Sequence, residues 1–171
     1  MNSSNARPKI LVARRIFPEG IERLEAVCDV DYVDQIGPLS KEELAKRLLD
    51  KDGALVTGSE RVDAETIKNA SALKIISNIA VGFNNFDVEA LNQRGIIGTN
   101  TPDVLTDTTA DLGFALLMAI SRRLSEAERW LRDGQWHHWE MGRMLGVDIH
   151  HSTLGIMGMG RIGQAIAKRA L

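Results

Sequence analysis

The sequence predicts an α/β fold with a parallel sheet and helices on both of its faces. Three observations lead there. Over the first hundred residues, short runs rich in Ile, Val and Leu alternate with amphipathic stretches. Several of those stretches open on a residue suited to the start of a helix. Further on, another apolar run enters a glycine-rich turn that opens an alanine-rich segment, residues 153–171.

The elements read in order as follows. "KILVA" (9–13) is a strand, and "PEGIERLEAV" follows as a helix with Pro18 and Glu19 in its first turn. "DVDYV" (29–33) is the second strand. "SKEELAKRLLD" carries Ser40 and, three residues on, Glu43, the spacing of a capping box, with Leu44, Leu48 and Leu49 on one face. "GALVTG" (53–58) is the third strand, "DAETIKNA" a short helix capped by Asp63, and "LKIISNIA" (73–80) the fourth strand. "DVEALNQRG" is a helix between Asp87 and Gly95, and "IIGTN" (96–100) is the fifth strand.

A single long helix is predicted next, from Thr106 to Gly134. Leu112, Leu116, Ile120, Leu124, Ala127 and Leu131 repeat on one face, Asp107 and Asp111 lie in its first turns, and Gly134 stops it. Its first half is apolar nearly all round, which suits a helix buried at a junction between domains. The following segment, "QWHHWEMGRMLGVDIHHS", reads as a long loop, and long loops in compact domains are usually functional or contact surfaces. "TLGIM" is then a strand leading into "GMGRIG".

That turn fits G-x-G-x-x-G at Gly158, Gly160 and Gly163. Gly158 allows the tight turn, Gly160 lets the backbone approach a pyrophosphate, and Gly163 lets the helix pack closely. The amides of Arg161 and Ile162 then sit at a helix N-terminus, where the dipole favours an anion. The alternative is a plain strand-to-helix turn that uses glycine for geometry alone. The acidic residue expected about 20 positions on, which would hold a ribose hydroxyl, falls past Leu171, so NAD and NADP are not separated.

Composition narrows the function classes. The 171 residues are 44% hydrophobic and 26% charged with a net charge of -2, an ordinary globular balance with no basic stripe for nucleic acid. The first residues, "MNSSNARPK", lack the apolar region of a secretory signal, and "FALLMAI" (114–120) is far short of the ~20 residues of a membrane span. A cytoplasmic protein, with no membrane and no nucleic-acid partner, is the expectation. Cys28 stands alone and reads as a small hydrophobe. His137, His138, His150 and His151 form two adjacent pairs, whose members point apart, so no metal site is expected and solvated loop histidines are the plain reading. Trp136 and Trp139 read either as contacts to a second subunit or as packing on the protein's own domain.

Three stretches taken together resemble the D-isomer-specific 2-hydroxyacid dehydrogenases, nearest to glyoxylate/hydroxypyruvate and 2-ketogluconate reductases. They are "NIAVGFNNFDVEAL" (78–91), "GTNTPDVLTDTTADLGFALLMAISRR" (98–123) and "TLGIMGMGRIGQAIAKR" (153–169), in the family's order and spacing. The resemblance implies a flavodoxin-like substrate domain over residues 1–101. Residues 102–171 would then hold a linking helix, a dimer-arm loop and the first βα unit of an NAD(P)-binding Rossmann domain. It implies that the amides of Val81 and Gly82 bind the substrate carboxylate, although a strand-end turn also uses glycine. Asn84, Asn85 and Asp87 would be turn and cap residues. Thr109 matches a hydroxyl position near the nicotinamide, with a helix-start Thr bonding its own backbone as the alternative. Gly160, Arg161 and Ile162 match contacts to the coenzyme pyrophosphate.

The implied reaction is NAD(P)H-dependent reduction of small 2-oxo acids, with NADP favoured by the resemblance and a homodimer formed through residues 106–150. Phosphoglycerate, D-lactate or formate are the sibling substrates. The family's general-acid His, its partner Glu and its carboxylate-binding Arg fall after the glycine turn, so no catalytic residue is expected in this chain. It is expected to be an N-terminal portion that does not turn over alone. The other expectation is an inactive remnant that dimerises or binds coenzyme weakly.

Overall fold

The computed structural model describes residues 6–171. They fall into two compact units, one ending at Pro102 and the other spanning Asp103–Leu171.

The first unit is built from β1 (Lys9–Val12), α1 (Pro18–Glu25), β2 (Asp29–Tyr32), α2 (Lys41–Arg47), β3 (Gly53–Thr57), α3 (Ala64–Ile67), β4 (Ile75–Ile79), α4 (Val88–Gln93) and β5 (Ile97–Thr99). All five strands pair in parallel, in the order β2-β1-β3-β4-β5. This is the strand order of a flavodoxin-like doubly wound sheet. In β1 the consecutive residues Leu11 and Val12 are both fully buried. Successive side chains point to opposite faces, so the sheet is covered on both. Leu44, Leu48, Ile67 and Leu91 from the helical segments and Ala54, Val56 and Ile76 from the strands complete the core. The strand limits agree with the sequence reading to within a residue or two. The helix predicted over 40–50 is α2 followed by a 3-10 turn, Leu48–Asp50.

Local chemistry sets the helix starts. Ser40, Asp63 and Asp87 each accept a hydrogen bond from the backbone amide three residues on, at Glu43, Thr66 and Ala90. Gly95 takes a positive φ of 65° just past α4, where a side chain would be strained.

The second unit holds α5 (Thr106–Ser121), α6 (Leu124–Arg132) and α7 (Arg161–Arg169). Two expectations need correction. The long helix is two helices, because the chain turns at Arg123, which is left-handed with φ 53°. The cause lies far along the sequence: the Val147 amide donates to the Ser121 carbonyl at 2.8 Å, taking the acceptor that a continuous helix would offer to Ser125. Gly146 permits this approach, since a Cβ there would lie 2.3 Å from the Ser121 oxygen. The second correction concerns residues 153–157, which lead into the glycine turn but form no ladder. A strand needs a neighbour, and every strand among the described residues belongs to the first unit.

The buried side of α5 also differs from expectation. Leu112, Leu116 and Ile120 are 61%, 60% and 79% exposed, whereas Ala110 is fully buried. Gly113 lies against α7, where a Cβ would meet Ile166 Cδ1 at 3.1 Å. The small residues of α5 therefore take the neighbouring helix, and the leucine stripe is left facing outward.

One consequence is a pH-dependent contribution from Asp63. Partial burial pushes its carboxyl pKa up, but the Lys41 ammonium and the amide and hydroxyl of Thr66 outweigh that and hold it well below the usual aspartate range. A carboxyl with a depressed folded pKa stabilises the fold above its unfolded value and loses that contribution as pH falls. Asp63→Ala should cost about 0.5–2 kcal/mol at pH 7. The gap from the parent in urea unfolding should narrow as pH drops below about 4.

Candidate functional site

Parallel sheets of this type collect ligands beyond the carboxyl ends of their strands. Here that end of the first unit is organised by a buried acid. Glu60 follows β3 and is 1% exposed. One carboxylate oxygen accepts from Arg14 Nη2 at 2.7 Å and Nε at 3.2 Å. The other accepts from the amide and the hydroxyl of Thr57 at 2.7 and 2.8 Å. Arg14 follows β1, so the ion pair closes the point between β1 and β3 where the strand order reverses.

The network continues through side-chain amides. Asn85 Nδ2 donates to the carbonyls of Thr57 and Glu60 at 3.1 and 3.0 Å. Its Oδ1 accepts from Asn78 Nδ2 at 3.1 Å, and the same Asn78 nitrogen donates to the Gly82 carbonyl at 2.8 Å. Both partners of that nitrogen are acceptors, which fixes the orientation of the Asn78 amide. Its own Oδ1 is buried without a protein partner. Leaving such an oxygen unpaired costs about 1–3 kcal/mol, comparable to what the two donated bonds contribute.

Val81 and Gly82 lie just past β4, Val81 half-buried and Gly82 exposed. The carbonyls of this stretch are all engaged: Ala80 by the Thr101 amide at 2.9 Å, Val81 by Asn100 Nδ2 at 2.7 Å, and Gly82 by Asn78. The amides of Val81 and Gly82 donate to no backbone carbonyl among the described residues. Two successive free amides next to an exposed glycine form a concavity suited to a carboxylate. A cavity of about 230 Å³ next to α4 and β5 is lined by Phe83, Phe86, Leu91, Ile96 and Thr99 among others, with neither Val81 nor Gly82 in its wall. Asn85 is more than a turn residue, since it joins β3 to the candidate loop, and Asp87 is the cap the sequence predicts. The sequence reading missed Glu60, Arg14, Asn78 and Asn100. The one available signal was an acidic residue three positions past an apolar strand.

In the second unit the glycine turn opens α7. Gly158 has φ 100°, which L side chains rarely adopt. A Cβ on Gly163 would lie 2.1 Å from the Gly158 carbonyl, so only glycine fits. A Cβ on Gly158 or Gly160 would meet nothing within 4 Å, so the outer side of the turn is open. Gly160 caps α7, its carbonyl accepting from the Gln164 amide, and the amides of Arg161 and Ile162 open the helix. The Arg161 guanidinium forms an ion pair with Asp103. Arg169, near the far end of α7, bonds Asp111 at 2.6 Å and Asp107 at 3.3 Å. Thr109 is exposed, and it is Thr108 that bonds back to the Leu105 carbonyl at 3.2 Å.

Trp136 packs edge-on against Trp130 with centroids 5.7 Å apart, Arg143 lies over the Trp130 ring, and Trp139 is 71% exposed. His150 and His151 stack edge to face. Among the described residues no group of three or more His, Cys, Asp or Glu is placed to hold a metal, and no helix is long and apolar enough to cross a membrane.

Residues 10–162 match the family described as D-isomer specific 2-hydroxyacid dehydrogenase, catalytic domain, and the chain belongs to that family. It is 44% identical over 168 residues to a glyoxylate reductase of Pyrococcus horikoshii, covering 96% of this chain and 50% of the relative. A glyoxylate reductase of Thermococcus kodakarensis is equally similar. Among solved structures, the TT0316 protein of Thermus thermophilus superposes with a TM-score of 0.88 at 44% identity, over 95% of this chain and 52% of that one. The NADPH-dependent glyoxylate/hydroxypyruvate reductase of Sinorhizobium meliloti, in complex with NADP and malonate, gives 0.76 at 33% identity over 96% and 50%. The chain thus spans about half the length of the relatives it matches.

Replacing Glu60 by Gln keeps its shape but removes the charge paired with Arg14. Breaking a buried pair in this way should lower unfolding stability by about 3 kcal/mol, read from urea denaturation of the chain.

Proposed function

We propose that the chain supplies the substrate-carboxylate and coenzyme-pyrophosphate parts of an NAD(P)H-dependent reductase of small 2-oxo acids. Glyoxylate, hydroxypyruvate and 2-ketogluconate are the proposed substrate class. The observation that carries the reading is the pair of free amides at Val81 and Gly82, in a chain whose family acts on 2-hydroxy acids. On this reading residues 1–101 are the substrate domain and residues 102–171 lead into the coenzyme domain.

The residues of the glycine turn fit a dinucleotide: the open side of Gly158 and Gly160 admits the pyrophosphate, and the amides of Arg161 and Ile162 with Gly163 behind them hold it. Arg161 adds a charge-assisted contact on leaving Asp103. Thr109 is assigned to the nicotinamide end through the family resemblance. When bound, the coenzyme supplies the hydride that reduces the oxo carbon. Val81 and Gly82 fix the carboxylate and so orient the neighbouring carbonyl. NADP is favoured, in line with the NADPH-dependent relative. The family resemblance puts the general-acid His, its Glu and the carboxylate-binding Arg after the glycine turn, so no proton donor is assigned among residues 1–171.

A homodimer is part of the proposal. Leu112, Leu116 and Ile120 leave an apolar stripe on α5, and Trp139 stands in solvent. Such a patch is the usual mark of an interface. A second reading, a chain that dimerises without binding coenzyme, is favoured by the exposed apolar stripe of α5. Glyoxylate-dependent oxidation of NADPH by the chain alone should not exceed background under either reading. Turnover would overturn the absence of a proton donor.

Coenzyme binding separates the two readings. Calorimetric titration with NADPH should show saturable binding, and Gly160→Ala should weaken it about tenfold or more while leaving the fold intact, because its methyl meets only open space. An unchanged affinity would make the turn a packing device. For the dimer, sedimentation equilibrium should give twice the chain mass, and Ile120→Glu should return it to monomer.

A further inference from the structure

We infer that Asn100 is a positioning residue for the carboxylate subsite, because its side-chain amide aims the Gly82 N–H. The inference rests on the reading of Val81 and Gly82 as the carboxylate binders.

The peptide unit is planar. In a trans peptide the carbonyl of one residue and the N–H of the next point in opposite directions, so fixing one fixes the other. No cis peptide bond occurs among the described residues. The Val81 N–H shares its plane with the Ala80 carbonyl, which the Thr101 amide holds at 2.9 Å. The Gly82 N–H shares its plane with the Val81 carbonyl, which Asn100 Nδ2 holds at 2.7 Å. Both tethers come from adjacent residues just past β5. Both carbonyls are therefore drawn toward residues 100–101, and both N–H groups are turned away from them, to the same side.

This matters because successive amides in extended chain normally alternate sides. Two neighbours converge on one anion only if a plane is turned out of that alternation, and here a side chain holds it. Gly82 has no Cβ to resist the rotation. The first tether is a backbone amide and would survive any substitution. The second depends on the identity of residue 100, since a carboxylate or a methyl in its place cannot donate. Asn78 plays a different part: it holds the Gly82 carbonyl, and so governs the plane that leads on to Phe83. Asn100 is half-buried, so truncating it leaves the core untouched.

The test is 15N–1H NMR of the full 171-residue chain, comparing the parent with Asn100→Ala and Asn100→Asp. Without ligand, both variants should keep the β3 and β4 resonances, while the Gly82 amide shifts and broadens. An unchanged Gly82 amide in either variant would overturn the positioning role. If one variant fails to fold, the other carries the comparison. Oxamate, an unreactive 2-oxo acid analogue, is then titrated. The Val81 and Gly82 amides of the parent should move together, and Asn100→Ala should bind about tenfold more weakly, the loss expected for one aligned hydrogen bond. Equal affinity in the variant would overturn the inference. A parent in which neither amide responds to oxamate would overturn the carboxylate reading instead, while the ligand-free comparison would still decide whether Asn100 turns the Gly82 plane.

Discussion

The carboxylate of Glu60 is the constraint on which the working end of the first unit depends. A buried acid is stable only when its charge is paired and its lone pairs are occupied. Arg14 and Thr57 meet that need, and in doing so they lock the ends of β1 and β3 together. The Glu60 carbonyl then receives Asn85, which receives Asn78, which holds Gly82. This chain of bonds ends on the Gly82 carbonyl and anchors the candidate loop from the core outward, while Thr101 and Asn100 hold the two peptide planes that carry the free amides.

The same logic explains why the loop after β4, unlike an ordinary turn, leaves two successive amides unpaired. A turn satisfies its amides on its own carbonyls. Here the carbonyls of Ala80, Val81 and Gly82 are taken by donors from elsewhere, at Thr101, Asn100 and Asn78, and the amides are left over. In the second unit glycine does comparable work by steric means. Gly163 brings α7 against the Gly158 carbonyl, and the helix N-terminus is presented beside an open turn.

The regular part of this architecture was legible in the amino-acid pattern. Short apolar runs, or for β2 an apolar–acidic alternation, marked all five strands, and Ser40, Asp63 and Asp87 marked three helix starts, because both signals are local. What escaped was set by distant partners. The break at Arg123 follows from the Val147 amide reaching Ser121, and nothing near residue 121 announces it. Glu60 sits in "GSERVD", which reads as a polar turn, and its burial is decided by Arg14, which lies 46 positions earlier. The leucine stripe of α5 was seen, yet its orientation was not: the small residues Ala110 and Gly113 let α7 approach the other side. At the candidate site the motif residues Val81 and Gly82 were named from family resemblance, whereas Asn78 and Asn100, which hold their carbonyls, carry no local signal of that role.

A crystal structure of the chain grown with oxamate decides whether the amides of Val81 and Gly82 receive a 2-oxo acid carboxylate. The carboxylate oxygens should lie within hydrogen-bond distance of both amides, with Asn100 still on the Val81 carbonyl. Oxamate bound elsewhere, or the Gly82 amide turned onto a protein carbonyl, would contradict it.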